Sequence, residues 1–189
     1  MKSGLKTFLI ILAIIAVLAI LLIGPYNRLV SMDEEVNNAY SQVQTVMQRR
    51  SDLIPNLVST VKGYASHEKE VLEEVTKARA KVDDAKTPGE LAEADQELSK
   101  AIADINVVVE AYPELKADKN FMSLQDELAG TENRIAVERK RYNDSVGKLN
   151  QSIRTFPNNI IASLFRINQR EYFEASETAQ TAPSIDFGN

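Results

Sequence analysis

Apolar residues follow two different rules along this chain. From Phe8 to Ile23 they are unbroken, whereas from Val36 onward they recur at alternating steps of four and three residues. The unbroken run makes about 24 Å of helix at ~1.5 Å per residue, and its flanks extend it towards the ~30 Å hydrocarbon thickness of a bilayer. It predicts a transmembrane anchor over residues 1–24. The positions before Gly24 are Leu21, Leu22 and Ile23, which lack the small residues of a signal-peptidase site, so the anchor is expected to stay attached.

The second rule runs through Val36, Tyr40, Val43, Met47, Arg50, Ile54, Leu57, Val61, Tyr64, Glu68, Val71, Val75, Ala78, Val82 and Ala85, all apolar save Arg50 and Glu68. That period of 3.5 is a coiled-coil seam and implies a left-handed supercoil. After a juxtamembrane break at Gly24-Pro25, Ser31 or Asp33 can cap the helix. Its first turn holds Asp33, Glu34 and Glu35, the sign the helix dipole favours. Pro55 removes a backbone donor and predicts a kink, while Gly63 adds softness at a cost of about 1 kcal/mol. Because Met47, Ile54 and Val61 stay in phase across Pro55, the pattern predicts one bent helix from Asp33 to Lys86.

Thr87-Pro88-Gly89-Glu90 then reads as a capping box with proline in the first turn. The second bundle helix presents Leu91, Ala94, Leu98, Ala101, Ile105, Val108 and Tyr112 and stops at Pro113. A third begins near Asp118 to Asn120 and presents Phe121, Leu124, Leu128, Ile135, Tyr142, Val146, Leu149, Ile153 and Phe156. Phe156-Pro157-Asn158-Asn159 breaks it, an apolar turn or two follows from Ile160 to Phe165, and periodicity fades after Arg166. Tyr172, Phe173, Ile185 and Phe187 are apolar enough to dock. The fold class is all-α: an N-terminal transmembrane helix, then an antiparallel long-helix bundle with coiled-coil-like packing over 25–165, then a C-terminal tail, 166–189.

Charge sharpens the partner classes. The formal net charge is −5, and all 27 acidic residues lie after Gly24 while Lys2 and Lys6 lie before it, which leaves the remainder at −7. A negative body of this kind excludes nucleic acid as a partner. With no cysteine there is no disulfide, thiolate nucleophile, lipoprotein site or cysteine-based metal site. The lone histidine, His67, precedes Glu68, but Val71 stands where a zinc-protease helix needs its second histidine, and Tyr64 stands three residues before it, where a Glu-x-x-His iron motif needs glutamate. The carboxylates of Asp83-Asp84, Glu93 to Glu97 and Asp126-Glu127 read as solvated helix faces, and Arg139-Lys140-Arg141 as a salt-bridged face. No catalytic site, cofactor or metal is expected.

Several strings resemble the LemA family of bacterial membrane proteins: Asp33-Glu34-Glu35-Val36-Asn37-Asn38-Ala39-Tyr40, Gln48-Arg49-Arg50-Ser51-Asp52-Leu53-Ile54-Pro55-Asn56-Leu57-Val58, Val61-Lys62-Gly63-Tyr64, Gly130-Thr131-Glu132-Asn133-Arg134-Ile135, Phe156-Pro157-Asn158-Asn159-Ile160 and Tyr172-Phe173-Glu174-Ala175. The resemblance implies a bacterial envelope protein with a helical bundle on a single anchor. It implies no reaction and brings no catalytic residues.

These readings converge on a membrane-anchored scaffold or interaction protein of the cytoplasmic membrane, with membrane lipid and envelope proteins as partners. The alternative is an accessory subunit of an envelope enzyme, protease or transport system, with a polar site near the helix breaks at Arg50, Asn56, Lys62, Asn158 and Asn159. The basic start, with Lys2 and Lys6 against the lone Arg28 before Asp33, places the N-terminus in the cytoplasm and the bundle outside. An 80 Å helix met by one of about 37 Å would leave its first half uncovered. The expected interaction surface, for a homo-oligomer, is therefore Val36, Tyr40, Val43, Met47, Arg50 and Ile54, with the C-terminal tail, running back from Phe156, as a partial cover.

Overall fold

A computed structural model describes residues 2–174, apart from the side chains of Lys2, Ser3, Ile15, Leu18, Ala19 and Leu21. Six helices follow in order: α1 Lys2–Tyr64, α2 Lys69–Asp84, α3 Pro88–Val109, α4 Pro113–Lys116, α5 Lys119–Arg154 and α6 Asn158–Phe165. There is no strand among the described residues. The chain divides into two compact units: Tyr40–Tyr142 with the segment from Glu171, and the segment up to Ala39 with Asn143–Arg170.

In the unit from Tyr40 to Tyr142 the predicted bent helix from Asp33 to Lys86 is corrected. α1 continues through Pro55 and ends at Tyr64, and the chain turns at Ala65–Glu68. The turn is closed by the Glu68 N–H donating to the Ala65 carbonyl at 3.1 Å, and the Leu72 N–H to that of Glu68 at 3.3 Å. α2 then runs back along α1, so that the Ser51 hydroxyl, before the turn, donates to Asp83, far beyond it, at 2.7 Å. Pro55 removes only one donor from a helix whose neighbours Ile54 and Leu57 are buried, and packing holds that helix together. At the turn, Gly63, Ser66 and His67 are weak helix formers, and reversing there buries Val75, Ala78 and Val82 against other helices rather than leaving one long seam open.

α3 reverses again. The expected capping box is present: the Glu90 N–H donates to Thr87 Oγ1 at 3.1 Å and the Thr87 N–H to the Glu90 carboxylate at 3.2 Å. α5 starts where Asp118 accepts the Phe121 N–H at 2.9 Å, and it runs antiparallel to α1: Tyr64 meets Asp118, Arg50 meets Glu132, and Tyr40 meets Tyr142. The result is an up-down-up-down bundle of α1, α2, α3 and α5. Leu57, Val61, Val75, Leu98, Ile105, Leu128 and Ile135 are buried in it.

The other unit is built on the first part of α1. Leu29 packs with Ile161 and Ala162 of α6, flanked by Tyr26, Ile153 and Ile167. The break expected at Gly24-Pro25 is absent, because α1 continues through it. Proline at that point forgoes a single hydrogen bond, and Tyr26 and Leu29 just beyond it are held by α6. Phe156, assigned to the apolar stripe of α5, is instead 81% exposed at the α5–α6 break. Among the described residues no helix is long and apolar enough to cross a membrane. The span read from the sequence includes Ile15, Leu18, Ala19 and Leu21, whose side chains lie outside those described, as do Ile185 and Phe187 of the tail.

Candidate functional site

Two oppositely charged residues lie buried on the apolar seams of the bundle, and the fold brings them together. Arg50 lies on the seam of α1 and Asp95 on that of α3, at the four-three positions Leu91, Asp95, Leu98, Ile102, Ile105 and Val109. The Arg50 guanidinium, 2% exposed, donates to the Asp95 carboxylate at 2.7 Å. Around this pair stand Glu132 of α5, 3.8 Å from the second Arg50 terminal nitrogen, and Arg139 of α5, 3.8 Å from the other Asp95 oxygen. Ser51, next to Arg50 and fully buried, accepts from Arg79 Nε at 3.2 Å while donating to Asp83. Four helices thus contribute to one polar layer.

Electrostatics sets its character. Burial pushes the Asp95 carboxyl above its ordinary value, against the pull of Arg50 and Arg139, and the nearby Glu132 charge adds to the rise. Arg50 Nε is buried without a hydrogen-bond partner. Such a pair gains little net stability over an apolar pair of the same volume, but removing one member strands the other charge. A polar residue at one seam position is also the best-attested means of fixing register in packed helices.

Arg139 also reaches the tail. Its guanidinium lies 5.3 Å from the centre of the Phe173 ring and donates to the Glu174 carbonyl at 2.9 Å. Phe173 is buried between Tyr40 and Tyr142, with ring centres 6.2 and 5.0 Å away, and the Tyr142 hydroxyl donates to the Glu171 carbonyl at 2.9 Å. Burial, with the Glu90 charge behind it, raises the Tyr40 phenol above its ordinary value. The extended segment Glu171–Glu174 is therefore seated on an aromatic step that also touches the ion pair. In the other unit, Arg170 is tied down by Asp33 at 2.9 Å, Asn37 at 3.2 Å and Asn150 at 2.9 Å.

The expected association surface is corrected. Val36, Val43, Met47, Arg50 and Ile54 are buried and Tyr40 is half-buried, so they are not an open seam. The hairpin at Ala65–Glu68 shortens α1, and α5, at 36 residues, is long enough to run beside it. Of the residues of the proposed polar site, Arg50 is buried, whereas Asn56 and Lys62 are exposed on the same helix. Asn158 donates to the Ser152 hydroxyl at 2.9 Å, and Asn159 is exposed.

Sequence reasoning placed Asp95 on a solvated face, and it is buried. The signal that could have found it was a second four-three frame in α3, in which Asp95 is the single polar position opposite the single basic one in α1. Glu68, the other polar seam position, accepts from the Tyr112 hydroxyl at 3.0 Å, which raises that phenol. Arg141 does bridge to Glu138 at 2.8 Å as a helix face should, but Arg139 turns inward.

Among the described residues no three His, Asp or Glu side chains are placed to hold a metal ion. One surface depression, of about 270 Å³, lies between Arg49, Ser123, Glu127 and Arg134. The polar layer is buried and closed largely by its own members, with Arg50 Nε left unpaired.

The family described as LemA family matches residues 39–187. A protein LemA of Metamycoplasma hominis is 29% identical over 182 residues, covering 93% of this chain and 82% of the relative. The magnetosome protein MamQ 2 of Paramagnetospirillum magneticum is 25% identical, covering 90% and 72%. The magnetosome protein MamQ of Magnetospirillum gryphiswaldense is 24% identical, covering 93% and 75%.

Proposed function

The chain belongs to the LemA family, and from that premise we propose that it is a scaffold of the bacterial envelope, held in the cytoplasmic membrane by the first part of α1. The observation that carries this reading is the change of surroundings along one helix. Ile10 and Ile20 of α1 are 60% and 66% exposed, with apolar neighbours on every side of the helix, while Val43 and Leu57 of the same helix are fully buried. Apolar side chains exposed all round a helix suit lipid and not water. The run from Phe8 to Ile23 makes about 24 Å of helix, and its flanks extend it towards the ~30 Å of a bilayer core. The names of the magnetosome relatives favour a membrane setting.

The bundle supplies a rigid shape, not a reaction. Its polar layer is buried among the helices, so partners, further copies of the chain included, dock on the outer helix faces. The positive start puts the N-terminus inside and the bundle outside. Protease treatment of spheroplasts tests anchor and orientation together: digestion removes the bundle and leaves a short fragment that resists alkaline carbonate extraction. Complete protection would reverse the orientation, and release of the intact chain by carbonate would remove the anchor.

A further inference from the structure

The unit around Leu29 holds an apolar stripe that its own packing does not use. α6 is apolar on two sides. Ile161 and Ala162 are buried against Leu29, whereas Ile160 and Leu164 are exposed at 57% and 66%, one helical turn apart, and Phe156, just before the helix, is exposed too. The helix contains no charged residue at all, and exposed Arg154 and Arg166 flank it.

Its position is fixed by Phe165, whose ring lies 4.4 Å from that of Tyr26. Tyr26 is three residues beyond Ile23, the end of the unbroken apolar run, or about 4.5 Å along the helix axis. A Tyr–Phe pair at that level is where aromatic side chains collect at membrane surfaces. Arginines beside it suit anionic headgroups, and Arg28 is exposed on α1 next to the same place.

We propose that α6 is an interfacial helix that lays Phe156, Ile160 and Leu164 into the headgroup–acyl boundary of the bilayer beside the anchor. Amphipathic helices of this kind bury their apolar face ~5–10 Å deep. With α6 seated, the unit has two points of attachment, the anchor and this helix, and the direction in which α1 leaves the membrane is fixed. The inference rests on the anchor reading.

The chain contains no tryptophan, so a single introduced one reports its own surroundings. The full chain is reconstituted in phosphatidylcholine–phosphatidylglycerol vesicles carrying bromine high or low on the acyl chains, as Ile160→Trp, Leu164→Trp, Ile14→Trp and, for the exposed face of α3, Val107→Trp. Emission from Ile160→Trp and Leu164→Trp is quenched more by the high bromines, that from Ile14→Trp more by the low ones, and that from Val107→Trp by neither. Quenching at Ile14 without quenching at Ile160 and Leu164 overturns the interfacial helix and leaves the anchor standing. Emission from those two that shifts to the blue with protein concentration but ignores bromine assigns the stripe to a second copy and also overturns the proposal. No quenching at Ile14, Ile160 or Leu164 sinks both readings, while quenching at Ile160 and Leu164 alone removes the anchor and overturns the placement of α6 beside it.

Discussion

The two ends of α1 carry their apolar side chains in opposite surroundings. From Leu5 to Ile23 the described apolar residues are exposed, and from Val36 to Val61 those on the seam are buried. What separates the two ends is angular distribution. Apolar residues all round a helix cannot be satisfied by one face of protein, whereas a stripe with a period of 3.5 can be covered by two or three neighbouring helices. Composition therefore says how much surface seeks cover, and spacing says what kind of cover it finds.

The contrast can be sharpened by substitution. The largest effect is expected at the polar layer: Arg50→Ala strands the Asp95 carboxylate in the bundle and should lower unfolding free energy by about 3–5 kcal/mol, measured by urea denaturation. The double variant Arg50→Leu with Asp95→Leu removes both charges and should return most of that loss. A single-variant loss below about 1 kcal/mol would mean that water reaches the pair.

The direct comparison between the two ends is of one residue type. Leu57→Ala, in the seam, should destabilise the bundle by about 2–5 kcal/mol. Leu9→Ala, in the unbroken run, should leave bundle unfolding within about 0.5 kcal/mol. Equal losses at both positions would break the distinction.

The smallest effect is one of pH. Because the folded Asp95 carboxyl sits above its ordinary value of 3.8, its contribution to stability is fully present below that value and is lost as pH rises through the folded one. Asp95→Asn removes this dependence, so the stability of the natural chain relative to the variant should fall across that window. Glu90 has the opposite sign. Accepting the Lys86 and Thr87 N–H groups lowers its carboxyl, and its contribution is present above the ordinary 4.5 and lost as pH falls through the lowered value. Urea midpoints of chain and variant, measured across acid pH, separate the two.

Much of the fold was legible because local signals and packing agreed. The capping box at Thr87, the Asp118 start of α5 and the break at Phe156-Pro157 are each written in a few adjacent residues. The hairpin at Ala65–Glu68 was not legible, because the heptad phase of Tyr64, Glu68, Val71 and Val75 continues across it. Phase records which residues want cover, not whether the helix is continuous. The turn is decided by tertiary burial, and Leu72, outside the seam as read, is buried in place of half-buried Val71. The same error produced the open association seam. The polar layer was half legible: Arg50 was a visible exception that needed a partner on another helix, but Asp95 was hidden inside the acidic run from Glu93 to Glu97. The aromatic step under Phe173 depends on contacts between distant segments and could not be read from spacing.

One scan tests the central claim that α1 lies in lipid at one end and in a protein core at the other. The chain has no cysteine, so single cysteines placed along α1 can be probed with a water-soluble maleimide in reconstituted vesicles. The account predicts no labelling at Ile10, Ile11, Ile14, Val17 or Ile20, whichever side of the helix they occupy. Beyond Val36 it predicts alternation, with Gln48, Asn56 and Lys62 labelled and Val43, Leu57 and Val61 protected. Labelling of one face between Leu9 and Ile23 with protection of the other would contradict it, because that pattern belongs to a helix packed on protein in water.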